Sequence, residues 1–193
     1  MKIAFVAFEG MTVLDLVSVF DPLTRLRTME IRPSVRWNVV ALAGRVADRA
    51  GLRILPDRVA HDLGGYDLLV VPGGPATREL KDDPGFVDWI RSAEGVPLKA
   101  SVCTGALLLG AAGFLEGRRA TTHPTAFSEL APYCGRVEEA RVVDEGDVVT
   151  AGGVTAGLDL GLHLCERLAG SDATSRIARQ MDFRRRPPEE TVP

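Results

Sequence analysis

The fold turns on one stretch, Lys99-Ala-Ser-Val-Cys103-Thr-Gly-Ala-Leu-Leu-Leu109. Leu98 to Val102 has the length and apolar content of a buried strand, and Gly105 to Ala112 reads as a helix, so the two meet at Cys103 without a loop. A strand that runs into a helix through one sharp turn holds the turn residue on a strained backbone above the sheet, the form of a nucleophile elbow. Strand and helix approach closely there, and Ser101, Thr104, Gly105 and Ala106 are the small neighbours this requires. The helix N-terminus beneath Cys103 directs partial positive charge and free N–H groups at the sulfur. Such a setting lowers a thiol pKa from about 8.5 to between roughly 3.5 and 7.5. A depression of about two units is worth roughly 2.7 kcal/mol of preference for the anion, so the expectation is a thiolate at neutral pH.

Outward from this junction, apolar strands alternate with amphipathic helices. Lys2 to Phe8 reads as a strand, and the segment after Gly10 carries Val13, Leu14, Val17, Phe20 and Leu23 at helical spacing. Val35 to Ala43 is a second strand, and Val46 to Leu55, turning at Gly51, is a small hairpin or excursion. Asp67 to Val71 is a third core strand, stopped by Pro72-Gly73-Gly74-Pro75. A helix over Pro84 to Ala93 precedes the elbow. Beyond it come a short strand at Ala120 to Thr122, a helix at Pro124 to Leu130, and a hairpin at Arg141 to Thr150 turning at Glu145-Gly146-Asp147. Helices from Thr155 to Leu168 and from Asp172 to Met181 complete the series. This alternation predicts an α/β fold, a flavodoxin-like three-layer sandwich with a mostly parallel central sheet, whose sites form at strand ends. Residues 1–183 are expected to form one domain and residues 184–193, with an Arg triplet and three prolines, a flexible tail.

Composition removes several classes of function. With 23 basic and 26 acidic residues the chain lacks the basic footprint that nucleic acid demands. Lysine is confined to Lys2, Lys81 and Lys99, an arginine skew with no functional reading. The longest apolar stretch, Ala106 to Leu115, is half of the roughly 20 residues a bilayer needs. The opening Ile3 to Phe8 is too short for a secretory signal core and ends at Glu9, so no membrane association and a cytoplasmic location are expected. Cys103, Cys134 and Cys165 share an even spacing but no surrounding pattern. An odd count without C-x-x-C fits neither a disulfide framework nor a zinc cluster, and reduced thiols are expected. Gly152 and Gly157 have phosphate-loop spacing, but Leu158 and Asp159 stand where Lys and Ser or Thr are required, which rejects ATP or GTP binding.

The segment from Ala100-Ser-Val-Cys-Thr-Gly-Ala-Leu-Leu-Leu-Gly-Ala-Ala-Gly to Ala120-Thr-Thr-His-Pro124 closely resembles the ThiJ/PfpI superfamily, a branch of the class I glutamine amidotransferase-like fold. Leu14-Asp15-Leu16, Val71-Pro-Gly-Gly74 and Gly152-Gly-Val-Thr-Ala-Gly-Leu-Asp159 extend the likeness over about residues 2 to 181. Within the superfamily the nearest likeness is to the isonitrile hydratases. The resemblance implies Cys103 as nucleophile and Asp15 as the acid placed beside it from the first helix, usually Glu but Asp in the hydratases. A buried acid near a thiol should have a raised pKa and so hold and deliver a proton. Gly73 and Gly74 are implied, with the Thr104 N–H, as backbone donors of an anion hole, and His123 as a residue near the nucleophile that steers substrate or tunes Cys103. Thr104 stands where peptidase-like members carry His, which weakens a proteolytic reading. Two positions depart from the hydratase pattern: Val17-Ser18-Val19 replaces Gly-Pro, and Pro124 replaces an aromatic. His163, between Asp159 and Arg167 on one helix stripe, reads as a surface or subunit contact, and His61 carries no signal.

The reading that follows is an isonitrile-hydratase-like lyase with a cysteine nucleophile, acting on a small molecule as a homodimer, without metal or organic cofactor. One alternative is a stress or redox protein whose Cys103 is oxidised to sulfinate, with glyoxalase or deglycase activity as its close variant. Another is a non-enzymatic small-molecule sensor like the domain that opens AraC-type regulators. In those regulators a helix-turn-helix region follows, and since this sequence stops at Pro193, DNA binding is not expected.

Overall fold

A computed structural model describes residues 1–184; the expected tail, from residue 185 on, lies outside the described residues. In chain order the elements are β1 (Lys2–Val6), α1 (Val13–Thr28), β2 (Arg36–Ala41), β3 (Val46–Ala47), β4 (Arg53–Ile54), β5 (Arg58–Val59), β6 (Leu68–Val71), α2 (Thr77–Leu80) and α3 (Pro84–Arg91). They continue with β7 (Leu98–Val102), α4 (Gly105–Ala111), β8 (Arg119–Ala120), a 3-10 turn (Pro124–Ala126) leading into α5 (Phe127–Leu130), β9 (Arg136–Val137), β10 (Val142–Asp144), β11 (Val148–Ala151), α6 (Ala156–Ala169) and α7 (Ser171–Gln180).

A seven-stranded sheet in the order β10-β11-β7-β6-β1-β2-β5 forms the middle layer. Every pairing in it is parallel except β10 with β11. Strands covered on both faces read as unbroken apolar runs. Ile3 to Val6 and Leu68 to Val71 are such runs, all of them buried. Opposite faces of β7 meet different helices: Val102 lies near Gly157 of α6, whereas Lys99 lies over the Phe114 ring just beyond α4. Helices α1, α6 and α7 pack together in one outer layer, and α4 packs with α2, α3 and α5 in the other. This is the α/β sandwich expected.

Local chemistry sets several boundaries. The Asp83 carboxylate caps α3 by accepting the Gly85 and Phe86 N–H groups, with Pro84 at the first helical position. Both expected hairpins form, β3 with β4 and β10 with β11, the latter around Glu145-Gly146-Asp147. The strand expected at Ala120 to Thr122 covers only Arg119–Ala120, paired in parallel with β9. Edge strand β5 and the single turn of α2 were not foreseen. Among the described residues no helix is long and apolar enough to cross a membrane.

The chain leaves β1 for β2 on one side and later fills β6 and β7 on the other, so the order reverses between β1 and β6. Ligand crevices in open α/β sheets lie outside the carboxyl ends of strands at such a switch point. The segments that follow β1, β6, β7 and β11 carry Asp15, Gly73 and Gly74, Cys103, and Gly152 respectively.

Candidate active site

Cys103 has φ 57, the left-handed region that L-residues with a side chain rarely occupy, and it follows directly on β7. The turn is held from neighbouring chains. The Cys103 N–H donates to the carbonyls of Ala151 and Gly152, both at 3.0 Å, and its own carbonyl accepts the Thr122 hydroxyl at 2.8 Å. Gly105 is demanded by space, since a Cβ there would sit 2.3 Å from the Val71 carbonyl oxygen.

Asp15 lies in the first turn of α1 and is completely buried. Its Oδ2 accepts the Gly73 N–H at 3.1 Å, its buried Oδ1 has no hydrogen-bond partner among the described residues, and the carboxyl stands near enough to the Cys103 side chain for each to shift the other's acidity. The β6 loop is brought close to α1 by the Thr12 N–H, which donates to the Gly73 carbonyl at 2.8 Å. Gly74 (φ 140) permits this approach, because a Cβ there would meet the Thr12 nitrogen at 2.6 Å. The Gly74 N–H donates to Thr104 Oγ1 at 2.9 Å, and that hydroxyl donates back to the Gly74 carbonyl at 3.1 Å.

Two expectations change here. The thiol of Cys103 is not depressed by the helix beneath it: burial first, then the neighbouring Asp15 charge, push it up to about 12. The Thr104 N–H and hydroxyl favour the anion but do not outweigh these effects. Helix α4 has only seven residues, and desolvation of a sulfur just 7% exposed exceeds its pull. Burial also raises Asp15, to about 6, against the lowering influence of Cys103 and the Gly73 N–H. Between about pH 6 and about pH 12 the pair therefore holds one proton between carboxyl and sulfur. The second change concerns Gly73 and Gly74, expected as free donors. Their N–H groups are taken by Asp15 and Thr104, so the two glycines fix the acid and the threonine rather than offering an open anion hole.

His123 stands apart from this cluster, on a cavity of about 440 Å³. The cavity is bounded by residues 122–124 and Phe127 on one side, by residues 152–156 on another, and by residues 139–141 at the rim. Thr122 and Gly152, which hold the Cys103 backbone, line it, so it adjoins the elbow. Sequence reasoning misses Thr122; the available signal is a pair of hydroxyl residues, Thr121 and Thr122, directly before His123 and a Pro-initiated turn. His163 and Arg167 both bind Asp144 of β10, at 2.6 and 3.1 Å, and Asp159 binds Arg141, so that stripe ties α6 to the sheet edge. His61 packs edge-on against Tyr66. Cys165 is buried in α6 and donates to the Pro22 carbonyl, and Cys134 is half-buried. Among the described residues no group of three or more His, Cys, Asp or Glu side chains is placed to hold a metal ion.

A three-layer sandwich bearing a cysteine elbow with an acid brought in from its first helix defines a class of α/β proteins. The chain belongs to the DJ-1/PfpI family, whose sequence profile matches residues 1–167. It is 36% identical over 190 residues to an isonitrile hydratase of Pseudomonas putida, spanning 97% of this chain and 81% of that one. It is also 32% identical to the transcriptional regulator CdhR of Pseudomonas aeruginosa, across 91% of this chain but 53% of the regulator. A ThiJ/PfpI family protein from Pseudomonas syringae superposes with a TM-score of 0.83 at 30% identity, covering all of this chain and 78% of that one.

Proposed function

We propose that the protein is an isonitrile-hydratase-like lyase in which Cys103 and Asp15 act as a proton-sharing nucleophile and base. The observation that carries this reading is a wholly buried Asp15 beside the left-handed Cys103 elbow, whose carboxyl and thiol together hold one proton near neutrality. The terminal carbon of an isonitrile is unusual in that the atom attacked by the nucleophile must itself gain a proton. A base that removes the thiol proton and then returns it a bond-length away suits that demand. Acyl transfer instead builds charge on an oxygen, which calls for free N–H donors, and those of Gly73 and Gly74 are engaged.

The steps balance as follows. The Asp15 carboxylate takes the Cys103 proton while sulfur bonds to the terminal carbon, and that carbon takes the proton back from Asp15, giving the thioimidate Cys–S–CH=N–R. Asp15 then removes a proton from water as the water oxygen adds to the same carbon, and hands that proton to the nitrogen, giving Cys–S–CH(OH)–NH–R. Collapse of the adduct breaks the C–S bond, the hydroxyl becomes the carbonyl of an N-substituted formamide, and the hydroxyl proton returns to sulfur. The net reaction consumes one water and no oxidant or reductant.

Similarity to the Pseudomonas putida isonitrile hydratase supports the reading. Cys103, only 7% exposed, argues against the peroxide-sensor alternative, since oxidation to sulfinate favours accessible thiolates. The test is incubation with an alkyl isonitrile and quantification of the N-alkylformamide. Formamide production that survives Cys103→Ser would eliminate the covalent route; consumption of methylglyoxal without isonitrile turnover would favour the glyoxalase variant.

A further inference from the structure

The backbone of Cys103 is pinned on both sides by other segments. Its N–H is shared between the Ala151 and Gly152 carbonyls, each at 3.0 Å, which fixes the peptide before it. The peptide after it is fixed at the Cys103 carbonyl. In an α-helix that oxygen would accept the N–H four residues on. Here the Leu107 N–H goes instead to the Thr104 carbonyl at 3.0 Å, and the Ala106 N–H reaches the Cys103 carbonyl only at 3.4 Å. The close partner is the Thr122 hydroxyl, at 2.8 Å. Thr122 is wholly buried, and its neighbour Thr121 anchors the segment twice. The Thr121 N–H donates to Thr150 Oγ1 at 2.9 Å and its hydroxyl to the Ala140 carbonyl at 3.1 Å. The donor that grips the elbow is thus held by the sheet edge, independently of the elbow itself.

The opposite edge of the same peptide is the Thr104 N–H. A trans peptide is planar, with its C=O and N–H pointing in opposite directions, so fixing the carbonyl also fixes where the N–H aims. The Gly73 and Gly74 N–H groups are engaged by Asp15 and Thr104, but among the described residues no oxygen accepts the Thr104 N–H. It acts on the Cys103 sulfur in favour of the anion. Gly73 keeps the space in front of it clear, since a Cβ there would stand 2.6 Å from the Thr104 nitrogen and 2.9 Å from the Cys103 Cβ.

We propose that Thr122 is a positioning residue for the nucleophile: by holding the Cys103 carbonyl it aims the Thr104 N–H at Cys103 Sγ, and so stabilises the thiolate that forms when Asp15 takes the proton. The inference rests on the reading of Cys103 as nucleophile and goes beyond it by assigning a residue that acts on the sulfur only through the main chain.

The test follows alkylation of each cysteine by iodoacetamide at pH 8, by peptide mass spectrometry on the full-length protein, with half-buried Cys134 as internal standard. Thr122→Val keeps the shape of the side chain and removes the donor, whereas Thr122→Ser keeps the donor and removes the methyl group. Relative to Cys134, Thr122→Val should slow alkylation of Cys103 about tenfold or more, the range of one hydrogen bond to a charged group, and Thr122→Ser should stay within about twofold of the wild type. The sign separates this role from a merely structural one, because a loosened elbow would uncover a sulfur only 7% exposed and speed its alkylation. Thr122→Ala repeats the loss of the donor and guards against a folding defect peculiar to valine. Unchanged or faster alkylation of Cys103 in Thr122→Val and Thr122→Ala, or equal slowing in Thr122→Ser, would overturn the inference. Isonitrile turnover is scored separately, and there kcat should fall in step with the alkylation rate while KM holds. Slowed alkylation in a protein that turns over no isonitrile upholds the role of Thr122 and removes only the hydratase reading.

Discussion

Cys103 and Cys165 each face a residue of α1, Asp15 and Pro22 respectively, and by acidity alone are twins. Burial pushes each thiol up to about 12. Their surroundings separate them. Cys165 sits within regular α6, and its thiol donates to the Pro22 carbonyl, which has no means of accepting a proton. Cys103 sits on a left-handed turn beside a carboxylate that titrates near neutrality. The two sites thus differ in what the sulfur faces: a main-chain carbonyl at Cys165, a buried acid able to take up a proton at Cys103.

The sharpest way to break the contrast is to remove each sulfur. Cys103→Ser or Cys103→Ala should cut isonitrile turnover at least about 10³-fold, measured as formamide release, whereas Cys165→Ala should leave turnover unchanged. If both variants kept activity, the elbow would not be the reacting site.

Next comes the base. Asp15→Asn keeps an acceptor for the Gly73 N–H but cannot move a proton, and kcat should fall about 10²–10⁴-fold. The wild-type rate should rise with pH through about 6, as Asp15 ionises, and then level off. Stability should respond in the opposite sense. Because the folded pKa lies above the ordinary carboxylate value of 3.8, the native state binds more protons than the unfolded chain between about 4 and 6. The Asp15 contribution to stability is thus fully present below about pH 4 and is lost as pH rises through about 6, by an amount on the order of 3 kcal/mol. Asp15→Asn should therefore melt at a higher temperature than the wild type at pH 8 and lose that advantage near pH 4. A variant less stable at pH 8 would contradict the buried charge.

Smaller effects test the seam that both cysteines share. A Cβ at Gly157 of α6 would stand 1.9 Å from Ser18 Oγ on α1. Gly157→Ala should destabilise the fold by about 1–3 kcal/mol in chemical denaturation and lower kcat by displacing the helix that carries Asp15. Cys165→Ala, on the same seam but away from the acid, should cost about 1 kcal/mol.

Much of this architecture was legible in the chain. β7 falls on Leu98–Val102 as read, because a strand buried on both faces leaves a continuous apolar record ending at Cys103. Edge strand β5 left none: Arg58 and Val59 are both exposed, so no alternation marks them. The turn of α2 was hidden behind Pro72-Gly73-Gly74-Pro75, which punctuates more strongly than four helical residues can signal. In the site, the elbow and Asp15 were visible as residues, but their charges were not. The sequence displays a helix start behind the sulfur, yet it does not display how far solvent is excluded, and exclusion decides the thiol. Nor does it display that Gly73 gives its N–H to a residue 58 positions earlier.

The left-handed backbone at Cys103 has a consequence for how such a protein ages once selection relaxes. A side chain in that conformation costs about 1–2 kcal/mol relative to glycine, while the bonds from Ala151, Gly152 and Thr122 are made by the main chain and do not depend on which side chain is present. Loss of the sulfur to glycine would thus leave the turn intact and relieve it, so mutational drift runs downhill toward an inert protein of the same shape. A lineage that still carries cysteine at this position is holding it against that slope.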